Sequence, residues 1–242
     1  MRASLATVAL ILVAACAKSP PTSAVYDPYE DANRKMHAFN TQFDDKMVRG
    51  AGTGYNDVVS EPVHQNIVNF AETVGLPRTV MNQILQGRLE DATRNTLRFG
   101  INATMGIGGL ADVAGDLGLE KKDTDFGETL AVWGVPEGAY MVLPFLGPST
   151  ERDTAGMMVD WFFNPLNYLG LGPETYLGTA AQIAEEVGDR GRFADSYDSV
   201  IHESADSYSQ VQLIYLQNRR YELGEAPPED DIDPLALDTE GF

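Results

Sequence analysis

Asp125–Asp153 reads DFGETLAVWGVPEGAYMVLPFLGPSTERD, and neither a helical nor a strand period carries through it. Gly127, Gly134, Gly138 and Gly147 loosen the backbone, while Pro136, Pro144 and Pro148 fix φ and remove amide donors, so any helix here is interrupted every few residues. Gly138–Thr150 nevertheless carries no charge. It is too short for a spanning helix, which takes about 20 apolar residues, and its broken backbone needs hydrogen-bond partners that acyl chains cannot supply. Such a segment must be buried in protein or face a watery cavity, as the wall of a channel would.

The same composition recurs on both sides. FGINATMGIGGLA lies between Arg98 and Asp112, and WFFNPLNYLGLGP lies between Asp160 and Glu174; both lack charge and both are broken by Gly or Pro. Three fractured apolar segments fit a protein lying in a membrane interface without a spanning helix, or the core of a soluble helical domain.

The whole chain limits the function. Its 242 residues allow one or two domains, and 43% hydrophobic content permits a sizeable core. A formal charge of −19 opposes nucleic acid and simple electrostatic docking on anionic lipid, so membrane attachment must be apolar or covalent. Cys16 is the sole cysteine, which excludes an intramolecular disulfide and a thiolate metal cluster. It follows Arg2, an apolar run from Leu5 to Val13, and small residues, the layout of a secretory signal. Val13-Ala14-Ala15-Cys16 resembles a bacterial lipobox, in which residues 1–15 are removed and Cys16 carries a diacylglycerol and an N-acyl chain. An ordinary cleavage site just beyond Ala17 is the alternative. Residues 16–26 then form a tether, 27–223 a helical domain, and 224–242 an acidic tail without Lys or Arg that reads as disordered.

Within that domain Asp27-Pro28 predicts a helix start, followed by Ala32, Met36, Phe39, Phe43 and Met47 in one apolar stripe. Gly50–Gly54 predicts a break. A second helix from Ser60-Glu61-Pro62 bears Val63, Ile67, Phe70 and Val74 and is expected to stop at Gly75-Leu76-Pro77, with a short helix following to Gly87. Leu89, Thr93, Leu97 and Ile101 stripe the next, with Arg94 and Arg98 stacked on another face, solvated or paired with Glu90 and Asp91. Thr175–Val187 and Ser196–Tyr221 read as the last two helices. Each stripe suits a helix packed on a core or one laid in lipid.

Catalytic chemistry finds little support. Gly106, Gly108 and Ala111 match G-x-G-x-x-A, but a helical pattern precedes them where a dinucleotide site needs a strand, so close packing or a kink is the better reading. His37, His64 and His202 are scattered without metal-ligand spacing, and neither a G-x-S-x-G elbow nor a P-loop occurs. The expectation is a non-enzyme with no cofactor and no metal.

DPYEDANRKMHAFN (Asp27–Asn40), Glu61-Pro62-Val63 with Asn69-Phe70, LQGRLEDATRNTLRFGINATMGIGGLADVA (Leu85–Ala114), the opening stretch and YLQNRR (Tyr215–Arg220) occur in an order that resembles the VacJ/MlaA family of outer-membrane lipoproteins. The resemblance implies an all-α, ring-shaped single domain of amphipathic helices and broken apolar segments around a central channel, lying in the inner leaflet of the outer membrane. It implies extraction of mislocalised phospholipids from the outer leaflet and their transfer to a soluble periplasmic lipid-carrier protein, with a trimeric porin as partner. A structural lipoprotein bracing a porin without moving lipid is the alternative. The positions it nominates are Cys16 for lipidation, Phe39 and Asn40 beside the element governing access, and Gly106, Gly108, Gly109, Trp133, Pro144, Pro148, Trp161 and Phe162 for the ring and channel wall. Trp133 and Trp161 suit either headgroup-level anchoring or burial.

Overall fold

The computed structural model describes residues 25–163 and 175–225. Cys16, the signal peptide, most of the tether, residues 164–173 of the third uncharged segment and the tail beyond 225 lie outside it, as does the side chain of Phe162.

Helix α1 (Glu30–Phe43) runs through a π turn at Asp44–Val48 into α2 (Arg49–Val58). Then come α3 (Glu61–Leu85), α4 (Leu89–Thr104), a single turn α5 (Val113–Asp116) and α6 (Phe126–Val132). A hairpin of β1 (Tyr140–Leu143) and β2 (Gly147–Thr150) follows, pairing antiparallel from Tyr140 opposite Thr150 to Leu143 opposite Gly147. The chain closes with α7 (Glu151–Phe163), α8 (Thr175–Arg192), α9 (Ala194–His202) and α10 (Ser207–Glu222). The α3 helix packs on α4 and α8, α2 on α8, and α6 on α7. No helix among the described residues is long and apolar enough to cross a membrane.

Several boundaries differ from the sequence reading. Helix α3 continues through Pro77. The proline removes one rung of the ladder, and packing against two neighbouring helices keeps the rest in place. Asp27 does not cap α1, which begins with Tyr29 at its N-cap. The Asp27 carboxylate instead accepts from Asn33 at 2.9 Å, Gln212 at 2.9 Å and the Tyr208 hydroxyl, tying the first helix to the last. Gly50–Gly54 lies inside α2, and Ser196–Tyr221 is two helices broken before Asp206, whose side chain caps α10 by accepting from the Ser209 amide. The opening stretch resolves into α6, the hairpin and the start of α7, each too short for its own periodicity to show.

The burial pattern runs opposite to that of a water-soluble helical domain. One apolar cluster, Tyr140, Val142, Tyr208 and Leu216, packs with Val25, Met36 and Tyr215 behind the hairpin. Elsewhere in the described residues polar side chains dominate the interior: Asn82, Gln83, Asn95, Asn102, Thr129, Ser149 and Thr150 are all fully buried. The predicted stripes divide: Met36 packs on that cluster and Ile67, Phe70, Val74 and Ile101 are half-buried, while other members face outward. Phe39 and Met47 on the first, Val63 on the second, and Leu89 and Leu97 on the third are exposed, whereas α4 turns Asn95, Arg98 and Asn102 inward. Arg98 is therefore no surface residue, unlike Arg94, which pairs with Glu90 at 3.1 Å. Its guanidinium reaches Asp112 at 2.8 Å and the Leu119 carbonyl, while Asn102 donates to the same Asp112 oxygen at 2.8 Å. Interior polar groups are held in such networks because each would be costly if left unmet.

Candidate channel around Pro148

The hairpin strand β2 stands where three cavities adjoin. Pro148 lines all of them, and their volumes are about 590, 570 and 540 Å³. The first lies between the hairpin turn and α8, bounded by Asn40, Phe43, Phe145, Thr179, Gln182, and Arg190. The second has a charged wall: Arg78, Asp125, Asp153, Asp160, Arg219 and Glu222. The third is lined mainly by apolar groups, among them Val142, Val200, Ile201, Val211 and Ile214, and shares Tyr215 and Asn218 with the second. A molecule with an ionic end and hydrocarbon chains would find both kinds of wall on either side of Pro148, Tyr215 and Asn218.

The charged wall is built by helices meeting end to side. Asp125 caps α6, accepting from the Glu128 amide at 2.8 Å, and its carboxylate also accepts from Arg219 of α10 at 2.8 Å. Arg219 bridges onward to Asp153 of α7 at 3.0 Å and to Glu222 at 3.2 Å, and the Tyr215 hydroxyl donates to Asp153 at 2.7 Å. Burial pushes the Asp153 carboxyl upward, but the hydrogen bonds from Arg219 and Tyr215 outweigh it and hold the group below the usual carboxylate range. Asp160 is the reverse case. It accepts from Asn82 at 2.8 Å and from the Phe126 amide at 2.9 Å, and burial raises its pKa because these neutral donors do not offset it.

Asn40, on α1, holds the hairpin turn. Its amide donates to the Leu143 carbonyl at 2.8 Å and its oxygen accepts from the Phe145 amide at 2.8 Å. Phe145 sits at φ 65°, in the left-handed region unfavourable to an aromatic residue, and its ring packs edge-on against Phe39 and Phe43 at 5.3 and 4.9 Å. Replacing Asn40 with alanine leaves two turn groups unmatched, so hydrogen exchange at the Phe145 amide should accelerate, with a stability loss of about 1–3 kcal/mol. Exchange at the wild-type rate would show that the aromatic contacts alone hold the turn.

The other nominated residues divide. Pro148 lines all three cavities, Asn40 two, and Trp161 one. Phe39 lines none of the three cavities and packs on Phe145, which lines the first. Gly106, Gly108, Gly109, Trp133 and Pro144 do not line these cavities. Gly106 is buried, and a Cβ on it would strike the backbone at Asn102; one on Gly109 would meet the Thr73 side chain at 2.8 Å, so both glycines serve close packing. Trp133 and Trp161 are 54% and 69% exposed, and the Trp133 indole donates to the Leu85 carbonyl at 3.2 Å. Arg78, Gln182, Asn218 and Arg219 line the cavities without having been singled out, since only the tertiary arrangement brings α3, α8 and α10 around β2.

A family model described as MlaA lipoprotein matches residues 25–222. An uncharacterized protein of Rickettsia felis is 37% identical over 189 residues, spanning 78% of this chain and 74% of its own. The intermembrane phospholipid transport system lipoprotein MlaA of Escherichia coli K12 is 30% identical over 244 residues, spanning 98% of this chain and 95% of its own. The namesake from Haemophilus influenzae is 28% identical, over 91% of this chain and 89% of its own. A solved chain described under the words "Structural basis for maintenance of bacterial outer membrane lipid asymmetry" superposes with a TM-score of 0.70 at 30% identity, covering 81% of this chain and 98% of that one. With the motif order, the mostly helical architecture and the family match over residues 25–222 in agreement, this chain belongs to the MlaA lipoprotein family.

Proposed function

We propose that the chain is a lipid-anchored outer-membrane protein that takes phospholipid out of the outer leaflet through the region around Pro148 and releases it toward the periplasm for return to the inner membrane. The observation that carries this reading is the burial pattern: large apolar members of the stripes face outward around a largely polar interior in which charged and apolar cavities adjoin. Outward stripes suit a ring resting in one leaflet, where helices bury their apolar faces in acyl chains. No covalent step is needed, so the protein acts as a conduit and not as an enzyme, with no bound cofactor beyond the acyl groups on Cys16. A trimeric porin and a soluble periplasmic lipid carrier are the partners this role calls for. A brace without transport would have no use for cavities of mixed character.

Deleting the gene in the parent bacterium should expose phospholipid on the cell surface and sensitise cells to detergent. The wild-type gene should restore the barrier, and Cys16→Ala at equal abundance should not, because several acyl chains are needed for stable anchoring. An unchanged surface lipid composition in the deletion strain would refute transport; full rescue by Cys16→Ala would refute the anchor.

A further inference from the structure

Three arginines line the large cavities, and they differ in what they meet. Arg190 is held by Asp44 at 2.8 Å and Asp198 at 2.8 Å, and Arg219 by Asp125, Asp153 and Glu222. Both are consumed by structure. Arg78 makes no ion pair among the described residues, and its buried Nε has no hydrogen-bond partner. It lies on α3, immediately after Pro77, at the border between the charged cavity and a smaller one of about 120 Å³. Asp160 lines the same charged cavity at 5% exposure, and among the described residues its hydrogen-bond donors are the neutral Asn82 side chain and the Phe126 amide. A cation and a buried anion therefore share one wall; the charge of Arg78 acts on Asp160 across it, but neither makes an ion pair within 4 Å among the described residues.

This inference rests on the reading of the cavities as a phospholipid path. We propose that Arg78 and Asp160 form a headgroup subsite for zwitterionic aminophospholipids, the guanidinium taking the phosphodiester and the carboxylate taking the primary ammonium. A planar guanidinium meets two phosphate oxygens at once, which a lone cation in a cavity is suited to do. The carboxylate discriminates further along the headgroup, since a glycerol in place of the ethanolamine brings no positive charge to Asp160. Acyl chains continue into the apolar cavity past Tyr215 and Asn218, which line both spaces. The subsite thus favours phosphatidylethanolamine over phosphatidylglycerol.

The test uses the full-length acylated protein, incubated with mixed micelles of detergent containing equal phosphatidylethanolamine and phosphatidylglycerol, repurified, and analysed for bound lipid by mass spectrometry. Wild type should retain an excess of phosphatidylethanolamine. Asp160→Asn should lower that ratio by about tenfold, the loss of one charge-assisted contact, without lowering bound phosphatidylglycerol. Arg78→Gln should lower both lipids by about tenfold, and Arg78→Lys should recover part of the loss. Arg78 is half-buried outside any ion pair, so its variants keep the fold should Asp160→Asn fail to do so. An unchanged ratio in Asp160→Asn, or unchanged total lipid in Arg78→Gln, would overturn the subsite while leaving transport intact. Wild type that retains neither lipid would overturn the transport reading with it. Glycerophosphoethanolamine bound as tightly as the intact lipid would mark a water-soluble phosphodiester as the ligand and overturn the lipid-borne assignment.

Discussion

Arg219→Ala is expected to lower the unfolding free energy by about 3–5 kcal/mol, the largest effect of any single truncation in the charged wall. The loss comes less from the missing hydrogen bonds than from what stays behind. Asp153, with a side chain only 7% exposed, would keep the Tyr215 hydroxyl at 2.7 Å but lose the guanidinium at 3.0 Å. Asp125 would lose the contact that ties the start of α6 to α10. The pH dependence identifies the mechanism. In the wild type the Asp153 carboxyl is depressed below its ordinary value of 3.8, so its contribution is fully present above that value and is lost as pH falls through the folded-state pKa. In the variant, burial is opposed only by the Tyr215 hydroxyl and by Arg152 at 3.8 Å, so the carboxyl rises from its depressed value and protonation becomes easier. The stability gap between the two proteins should be widest near neutral pH and should narrow as acid neutralises Asp153. Denaturation curves followed by circular dichroism at several pH values measure this, and a gap that stays constant into the acid range would mean that Arg219 stabilises by packing alone.

The same arginine illustrates what could and could not be read before the fold was known. Tyr215–Arg220 marked the family, and the helix terminus at Gly87 with φ 76° and the close packing at Gly106 and Gly109 rest on local chemistry that a sequence carries openly. Helical periods were also legible, because the 3.6-residue repeat of Met36, Phe39 and Phe43 or of Leu89, Leu97 and Ile101 does not depend on surroundings. Which way those stripes face does depend on them. An amphipathic helix gives the same pattern whether its apolar side meets a protein core or acyl chains, so the outward placement of Phe39, Leu89 and Leu97 had to come from the tertiary structure. The hairpin was hidden for a different reason: four-residue strands give too few alternations to register, and Asn33 and Asn40 of α1 complete their hydrogen bonding from far away in the chain. Arg78, Arg98 and Arg219 look alike on paper as basic residues of amphipathic helices. Only the positions of Asp112, Asp125 and Asp153 decide that Arg98 and Arg219 are held in ion pairs while Arg78 lines a cavity without one among the described residues.

Glycines in α2 offer a test of that dependence on context, because the same substitution on one helix should have opposite signs. At Gly52, an added Cβ would stand 2.8 Å from the Val187 carbonyl and 2.9 Å from the Gly191 amide nitrogen, both backbone atoms of α8 that cannot swing aside. The reciprocal Cβ on Gly191 would stand 2.5 Å from the Gly52 carbonyl. Gly52→Ala must therefore push α2 off α8, an overpacking cost of about 1–3 kcal/mol, larger than the ~1 kcal/mol that alanine gains over glycine in a helix. Gly50 and Gly54, two residues to either side, are exposed and meet nothing within 4 Å. Their alanine variants keep the propensity gain without the clash and should stabilise by about 0.5–1 kcal/mol each. Because Gly52 and Gly191 share one crossing, the double alanine variant should cost less than the sum of the singles: once the helices have separated, the second methyl enters space already opened. α8 also carries Thr179 and Gln182 into the cavities beside Pro148, so the separation would reshape those cavities at the same time as it weakens the fold. Denaturation midpoints for the wild type, the four single variants and the double variant decide the matter; a Gly52→Ala variant as stable as Gly50→Ala would show that the two helices are not held at the spacing that the glycines permit.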